Sequence, residues 1–402
     1  MKIGHEQTER IRKQFKNLQT RQDLVDLLSE AKDMMYEDKT KPFKLKTLTY
    51  YANPENCKFR YSTFFVKKKS GGQRTIHAPT KGLRSVLRSL NYVLQCMHVP
   101  HQAATGFVRD RSIVDNAQKH VGHHYVLNLD LKDFFHSYDR NKVKLAFMYS
   151  PFNLRGCTEK EKLAFFLACL CTHPFEIEGA TKTLLPQGSP TSPTITNILC
   201  ERLDRRLTGL ANRFGATYTR YADDITFSSP HNIYQEETNP SLNPKGSYEN
   251  FRAELERLIE EEKLTINPKK TRLQKSGYRQ EATGLIVNEK VNVRRRYVKQ
   301  IRMWLYYWEK YGYERAEQIF RSDYMIDKGH VKKGKPDLMN VLDGKLEFLK
   351  MVKGKEDGTY KGLKERFYEL IGHEDPINRV LNVWETEGID QAINIYYKDK
   401  LE

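Results

Sequence analysis

The 402-residue sequence lacks the features of a membrane protein and of a disulfide-rich secreted protein. Its longest apolar run, LAFFLACLC from Leu163 to Cys171, is too short to cross a bilayer. The N-terminal segment has no apolar core, so we expect no signal peptide. The six cysteines show neither metal-ligand spacing nor the density of a disulfide scaffold. These absences predict a cytoplasmic protein that does not associate with membranes and keeps its thiols reduced and mostly buried.

The sequence also has no internal repeat and no low-complexity block, and 39% of its residues are hydrophobic. A chain of this length and composition is expected to bury a substantial core and to divide into two or three subdomains. The formal net charge is +17, and basic residues alternate with 23 tyrosines and 19 phenylalanines. That combination suits phosphate contacts and base stacking. It favours a nucleic acid partner, although a basic solvated surface would have the same composition.

Strand and helix patterns alternate along the chain and give way to a helical C-terminal region. Residues 1–48 have the pattern of amphipathic helices, 58–78 that of a hairpin, and 124–135 that of a buried strand. An aromatic stripe on a helix at about 294–311 has the spacing of a packing face, and a further helical stretch is expected at 376–398. The alternation predicts a mixed α/β (α+β) fold.

Two adjacent carboxylates stand out in the segment TRYADDITFSS at 219–229, namely Asp223 and Asp224. Like charges repel, and alone such a pair is typical of a solvated turn. Asp130 changes that interpretation, because it ends an apolar strand where an unpaired carboxylate would be costly. If the strand and the hairpin are neighbours in one sheet, the three acids form an all-oxygen site suited to Mg²⁺. Two such ions can support an in-line phosphoryl displacement.

Two further segments have a composition suited to binding a phosphorylated ligand. The run LPQGSPTSP at 185–193 combines glycine and small residues, which allow close backbone approach, with prolines that hold its shape. The hairpin at 58–78 carries basic residues on its rim, including Lys68 and Arg74. By itself that hairpin would be interpreted as a basic solvated turn.

Taken together, these segments resemble the palm motifs of reverse transcriptases. Asp130 with Phe134-Phe135 is similar to the first motif, QGSPTSP at 187–193 to the second, and YADD at 221–224 to the third. In that family the second motif contacts the incoming nucleotide and the template. The resemblance implies two Mg²⁺ ions, with the following ligands: the catalytic carboxylates of Asp130, Asp223 and Asp224, and the backbone carbonyl of Leu131.

The same resemblance implies a deoxynucleotide site, and its expected members are Lys68, Arg74, Phe135, Gln187 and Gly188. Phe135 lies where the family carries an aromatic steric gate, whose ring would clash with a ribose 2′-hydroxyl. The alternative is that Phe134 and Phe135 are both core residues, and we expect at least one of them to be. Lys269 or Lys270 resembles a palm lysine that serves as a proton donor, and we expect Lys270 to have this role. The alternative is a solvated lysine pair.

A segment upstream of Asp130 resembles retron reverse transcriptases within the family. Asn116-Ala117-x-x-His120 is similar to a retron-specific segment, and Ala282-Thr283-Gly284 is similar to a retron Val-Thr-Gly, with alanine at its first position. In a helix, Asn and His four residues apart also form a structural pair. The residues expected to contact RNA are Asn116, His120, Thr283, Gly284, Arg294, Arg295 and Arg296.

The resemblance implies a right-hand polymerase: an N-terminal helical extension (1–48), fingers (49–125), a palm (126–289) with inserted helices at about 140–183, and a helical thumb and C-terminal region (290–402).

The implied reaction copies a cognate structured noncoding RNA into multicopy single-stranded DNA from dNTPs, primed by a 2′-hydroxyl of that RNA. The implied setting is the bacterial cytoplasm and antiphage defence with an effector protein. Two alternatives remain: a bacterial defence or group II intron-derived enzyme with another primer, and a nucleoprotein scaffold that restrains an effector.

Overall fold

The computed structural model describes residues 4–36, 40–67, 71–234, 247–328 and 336–372, with isolated positions between 384 and 393. Lys68 therefore lies outside the described residues, and so does nearly all of the helical stretch expected at 376–398. The chain divides into two compact units, residues 1–283 with 287–289, and residues 284–286 with 290–402. Within the described ranges, no helix combines the length and apolar character that a bilayer crossing would need.

The first unit contains ten helices in its described residues. They are α1 (His5–Lys16), α2 (Arg21–Tyr36), α3 (Leu45–Ala52), α4 (Lys81–Met97), α5 (Ile113–Gln118), α6 (Arg140–Met148), α7 (Thr158–Cys171), α8 (Ser192–Leu199), α9 (Glu201–Arg213) and α10 (Ser247–Glu261). Apolar faces of nine of these helices, all except α5, form one continuous core with the central sheet. In α4, for example, Leu83, Val86, Leu87 and Leu90 recur at helical spacing and are completely buried.

The central sheet has four antiparallel strands in the order β6-β7-β3-β8. These strands are β3 (Tyr125–Asp130), β6 (Thr217–Tyr221), β7 (Asp224–Ser229) and β8 (Arg272–Lys275). The apolar β3 lies inside the sheet, since it pairs with both β7 and β8. It ends at Asp130, earlier than the sequence pattern at 124–135 suggested, and the chain turns into a 3₁₀ helix at Phe134–Ser137. The mixed α/β fold with an antiparallel sheet is confirmed.

In the part of the chain that the structure describes, there are also three two-stranded hairpins. They are formed by β1 (Tyr61–Lys67) with β2 (Gln73–Pro79), β4 (His173–Ile177) with β5 (Ala180–Leu184), and β9 (Glu281–Ala282) with β10 (Leu285–Ile286). The first is the basic hairpin expected at 58–78. The predicted subdomain boundaries remain predictions, because the division into two units does not separate fingers from palm.

The second unit is helical in its described residues from 295 onward. Its helices are α11 (Arg295–Tyr311), α12 (Tyr313–Lys328), α13 (Leu338–Lys353) and α14 (Gly358–Ile371). Ile301, Trp304 and Trp308 of α11 are buried, and the Trp304 ring meets Phe320 edge-on at 5.1 Å between centroids. The aromatic stripe is therefore a packing face, except that Tyr311 at the helix end is 49% exposed.

Candidate active site

Strand register brings the three predicted catalytic acids together. In the pairing of β3 with β7, Asp130 stands opposite Asp224. The β6–β7 hairpin turns at Ala222 and Asp223, and the Leu131 N–H donates to the Asp223 carbonyl at 3.1 Å. We call residues Tyr221–Asp224 the acidic turn. It lies directly beside the end of β3, as the sequence predicted for the hairpin and the strand.

The carboxyl groups of Asp223 and Asp224 ionise less readily than isolated carboxyl groups. Burial, followed by the charge of Asp130, raises the pKa of Asp223. Solvent reaches the Asp224 side chain, yet desolvation by the surrounding protein and the charges of Asp223 and Asp130 raise its pKa to about 6. The negative charge of the site is therefore only partly compensated by the protein, which is the electrostatic condition for binding a cation.

Lys270 supplies part of the compensation. Its Nζ lies 2.7 Å from Oδ1 of Asp130, and Asn267 Nδ2 donates to the other oxygen at 3.2 Å. The Asp130 side chain is only 8% exposed, whereas that of Lys270 is 56% exposed. Lys270 therefore reaches the acids from the solvent side of the site.

The donor chemistry of this site fits Mg²⁺. Carboxylate oxygens of the three aspartates and the carbonyl of Leu131 are the hard ligands that this ion takes. Among the described residues, no group of three or more His, Cys, Asp or Glu side chains is arranged to hold an ion unaided. Mg²⁺ commonly completes its octahedral shell with water and substrate phosphates, so the site does not require such a cage.

The expected nucleotide-binding segments meet beside the basic hairpin. The Gln187 carbonyl accepts a hydrogen bond from His77 N of β2 at 2.8 Å. Gly188 has φ +118°, and a Cβ there would lie 2.6 Å from the His77 carbonyl, so this contact requires glycine. Arg74, also on β2, is near enough for its charge to oppose the rise in the pKa of Asp223. The structure thus places Gln187 and Gly188 against β2, the strand that carries Arg74.

The two phenylalanines after Asp130 have different environments. Phe134 is 4% exposed and belongs to the core, as expected of one member of the pair. Phe135 is half-buried, with its ring centroid 6.2 Å from that of Phe107. The Phe107 ring in turn lies 6.5 Å from Tyr221 of the acidic turn. Phe135 and Phe107 are thus partly accessible aromatic neighbours of the carboxylates, and sequence reasoning missed Phe107.

The structure contradicts the prediction that Asn116 and His120 contact RNA directly. Both residues are completely buried. His120 Nδ1 lies 2.7 Å from Ser228 Oγ and its Nε2 2.7 Å from Thr219 Oγ1, which ties the helix α5 region to β6 and β7. Burial lowers the pKa of His120 to about 3, so the ring is neutral. Asn116 Oδ1 accepts a hydrogen bond from Thr105 Oγ1 at 2.6 Å. Both side chains are therefore held inside the protein, where neither is accessible to RNA.

Thr283 and Gly284 form the turn of the β9–β10 hairpin. Both have positive φ, 48° and 82°, and Gly284 is exposed. Thr283 Oγ1 donates to the Ile113 carbonyl at the start of α5 at 3.2 Å. The two retron-like segments of the sequence are therefore joined in space. In the second unit, Arg294, Arg295 and Arg296 are exposed at the N-terminus of α11, where an RNA contact remains a prediction.

Comparison with known proteins identifies the family. The family model described as reverse transcriptase (RNA-dependent DNA polymerase) matches residues 66–294, more than half of the chain. The chain therefore belongs to the reverse transcriptase family.

Curated relatives narrow this to the retron group. The chain is 32% identical to the retron Ec86 reverse transcriptase of Escherichia coli, over 69% of this chain and 78% of the relative. It is 37% identical to the retron Mx65 reverse transcriptase of Myxococcus xanthus over 61% of this chain, and 38% identical to the Mx162 enzyme over 57%. The chain spans about half the length of these two Myxococcus relatives, 55% and 47%. It belongs to the retron reverse transcriptases.

The chain is also distantly similar to solved structures. A telomerase of Candida albicans in complex with a fragment of telomeric RNA aligns with a TM-score of 0.41 and 10% identity, covering 91% of this chain and 70% of that one.

Proposed function

We propose that this protein is an RNA-directed DNA polymerase with the catalytic residues Asp130, Asp223 and Asp224. The observation that carries the proposal is the strand register that sets Asp130 opposite Asp224 and beside the acidic turn. Two Mg²⁺ ions, held by these carboxylates and the Leu131 carbonyl, would neutralise phosphate charge and activate the attacking hydroxyl. The retron relatives and the matched family support the same activity.

The remaining side chains of the site have complementary roles in this proposal. Arg74 binds the triphosphate, together with Lys68, and the loop at Gln187 and Gly188 positions the base and the template. Phe135 lies under the sugar and excludes a 2′-hydroxyl. Lys270 donates a proton to the leaving pyrophosphate, since its ammonium is already at the carboxylates and its side chain reaches solvent.

We further propose that the template is a cognate structured noncoding RNA and that a 2′-hydroxyl of this RNA serves as the primer. The product would then be multicopy single-stranded DNA joined to RNA through a branch. The proposal also includes a bacterial antiphage role with an effector protein. Its support is the similarity to retron enzymes and the exposed basic residues of the second unit.

Primer extension tests the polymerase activity directly. Purified protein is incubated with Mg²⁺, dNTPs, an RNA template and an annealed DNA primer. We expect primer elongation that depends on the RNA template and on Mg²⁺. Failure to elongate any primer on RNA, by protein with a cooperative thermal transition, would overturn the proposed activity.

The Phe135→Ala variant should lose discrimination against ribonucleotides. Removing the ring opens space for the 2′-hydroxyl, so the ratio of ribonucleotide to deoxynucleotide kcat/KM should rise about tenfold or more. Single-nucleotide primer extension measures the ratio. Phe165→Ala is the matched control, because Phe165 is 42% exposed on α7 and belongs to a different surface. An unchanged ratio in Phe135→Ala would remove this residue from the sugar site.

Reversing charge at the start of α11 should weaken RNA binding. Arg295→Glu with Arg296→Glu removes two proposed phosphate contacts, so the slope of log Kd against log salt should flatten by about 1.4 to 1.8. Binding of structured RNA at several salt concentrations measures the slope. The control reverses Lys13 and Lys16, exposed residues of α1, and changes net charge equally. Equal flattening in both variants would show a general charge effect and contradict a local contact.

A further inference from the structure

A completely buried arginine lies beneath the acidic turn. Arg220 precedes the turn on β6, and neither its side chain nor that of Asp204 on α9 is exposed. Arg220 Nε donates to Asp204 Oδ1 at 2.8 Å and Nη2 donates to Oδ2 at 2.6 Å. Burying two charges is costly even when they pair, and apolar residues of similar volume often stabilise a fold as well or better. A stability role alone is therefore a weak explanation for this pair.

The remaining donors of Arg220 connect the pair to the acidic turn. Nη1 donates to the Ala222 carbonyl at 3.2 Å, and Nη2 donates to Asn197 Oδ1 of α8 at 3.1 Å. Asn197 Nδ2 in turn donates to the Gly106 carbonyl at 3.0 Å. One planar guanidinium thus links α9, α8 and the backbone of the turn, which a single ammonium could not do at once.

The backbone at Ala222 has a conformation that needs such support. Its φ is 59°, in the left-handed region that residues with a Cβ rarely adopt. This peptide directly precedes Asp223 and Asp224, so its orientation sets the direction of both carboxylates. If the Ala222 carbonyl loses its donor, nothing in the alanine itself favours the observed turn.

We propose that Arg220, anchored by Asp204, is a positioning residue that holds the Ala222 peptide and thereby aims Asp223 and Asp224 at the reaction centre. This inference rests on the proposed polymerase function. Arg220 does not touch the reacting atoms, and it acts through the turn. A displacement of about 1 Å at a catalytic group can reduce the rate by about 10²-fold, so the effect of losing the clamp should be large.

The first test separates positioning from folding. The triple variant Arg220→Met, Asp204→Leu, Tyr218→Phe removes both buried charges together with the Tyr218 hydroxyl that donates to Asp204. No uncompensated charge remains, so we expect the thermal midpoint to stay within a few degrees of the wild type. We expect kcat for dNTP incorporation to fall about 10- to 100-fold with little change in KM, because the nucleotide-binding loop is intact.

A second variant keeps the test decisive if the triple variant does not fold. Arg220→Lys retains the buried positive charge beside Asp204 but cannot also reach the Ala222 carbonyl and Asn197. We expect a similar fall in kcat. Adding Ala222→Gly to this background should recover part of the loss, since glycine adopts positive φ without the Cβ penalty. A folded Arg220→Lys protein with wild-type kcat, or a loss of kcat that Ala222→Gly leaves unchanged, would overturn the proposal.

Cation binding gives a readout that does not depend on catalysis. Mn²⁺ alone is titrated into wild-type and Arg220→Lys protein, and binding is followed by electron paramagnetic resonance. We expect the affinity of the variant to fall several-fold, because misaimed carboxylates hold the ion less well. Equal affinities would contradict the positioning role. Absence of DNA synthesis by the wild-type protein would instead overturn the polymerase proposal, so the two failures are distinguishable.

Discussion

Asp223→Asn is expected to lower the rate of dNTP incorporation by about 10³-fold or more. Asparagine matches aspartate in shape but lacks the charge that holds a cation at the acidic turn. The fold should not suffer, because the pKa of Asp223 is raised by burial and by Asp130, which means that its charge is disfavoured there. Primer extension under single-turnover conditions measures the rate, and thermal unfolding checks the fold.

Asp133→Asn is the matched control for this prediction. Asp133 is exposed, lies three residues after Asp130, and has the positive φ of 48° that asparagine tolerates well. We expect this variant to keep wild-type activity. Substantial DNA synthesis by Asp223→Asn would contradict the assignment of the catalytic carboxylates.

Loss of the catalytic carboxylates also distinguishes a polymerase role in defence from a scaffold role. A double variant, Asp223→Asn with Asp224→Asn, should lose antiphage protection in cells if DNA synthesis is required for defence. Protection that persists without DNA would favour the alternative in which the protein and its RNA restrain an effector. Measuring DNA product and phage survival in the same strain links the two outcomes.

Gly106→Ala is expected to reduce kcat about 100-fold although Gly106 carries no functional group. A Cβ at this position would lie 2.5 Å from the Ala222 nitrogen and 2.8 Å from the Tyr221 carbonyl carbon. Both atoms belong to the backbone, so relief requires a shift of the acidic turn or of the segment before α5. We also expect a loss of about 1–3 kcal/mol in the free energy of unfolding from overpacking.

Gly209→Ala provides the control. Gly209 lies within α9, where a Cβ would meet no atom within 4 Å, so alanine should stabilise the helix by about 0.5–1 kcal/mol. Its kcat should be unchanged. Equal activity of Gly106→Ala and Gly209→Ala would contradict the close contact between Gly106 and the acidic turn.

Sequence reasoning located the acids because each belongs to a short local pattern. Asp130 ends an apolar strand, and Asp223-Asp224 occupy the tip of a hairpin. One assumption about strand pairing was enough to join them, and the observed register bears it out. Gly188 was also accessible to such reasoning, since glycine among small residues indicates close backbone approach.

The supporting residues could not be found in the same way. Arg220, Asp204 and Gly106 belong to separate segments, and their roles depend on contacts between elements distant in the sequence. The one local signal is Arg220 itself, since a charged residue on a buried strand needs a charged or polar partner. His120 illustrates the opposite error, because a family-specific residue was assigned to RNA whereas it is buried between Thr219 and Ser228.

If this protein copies its own cognate RNA into branched DNA, as proposed, the product should stay bound to it. Sequencing the nucleic acid that co-purifies with the protein tests this. The protein is purified from cells expressing its native locus, and the bound nucleic acid is sequenced before and after treatment with a debranching enzyme. We predict one short RNA joined to single-stranded DNA through a 2′-linkage, which is lost on debranching. Heterogeneous linear cellular RNA without attached DNA would contradict the account.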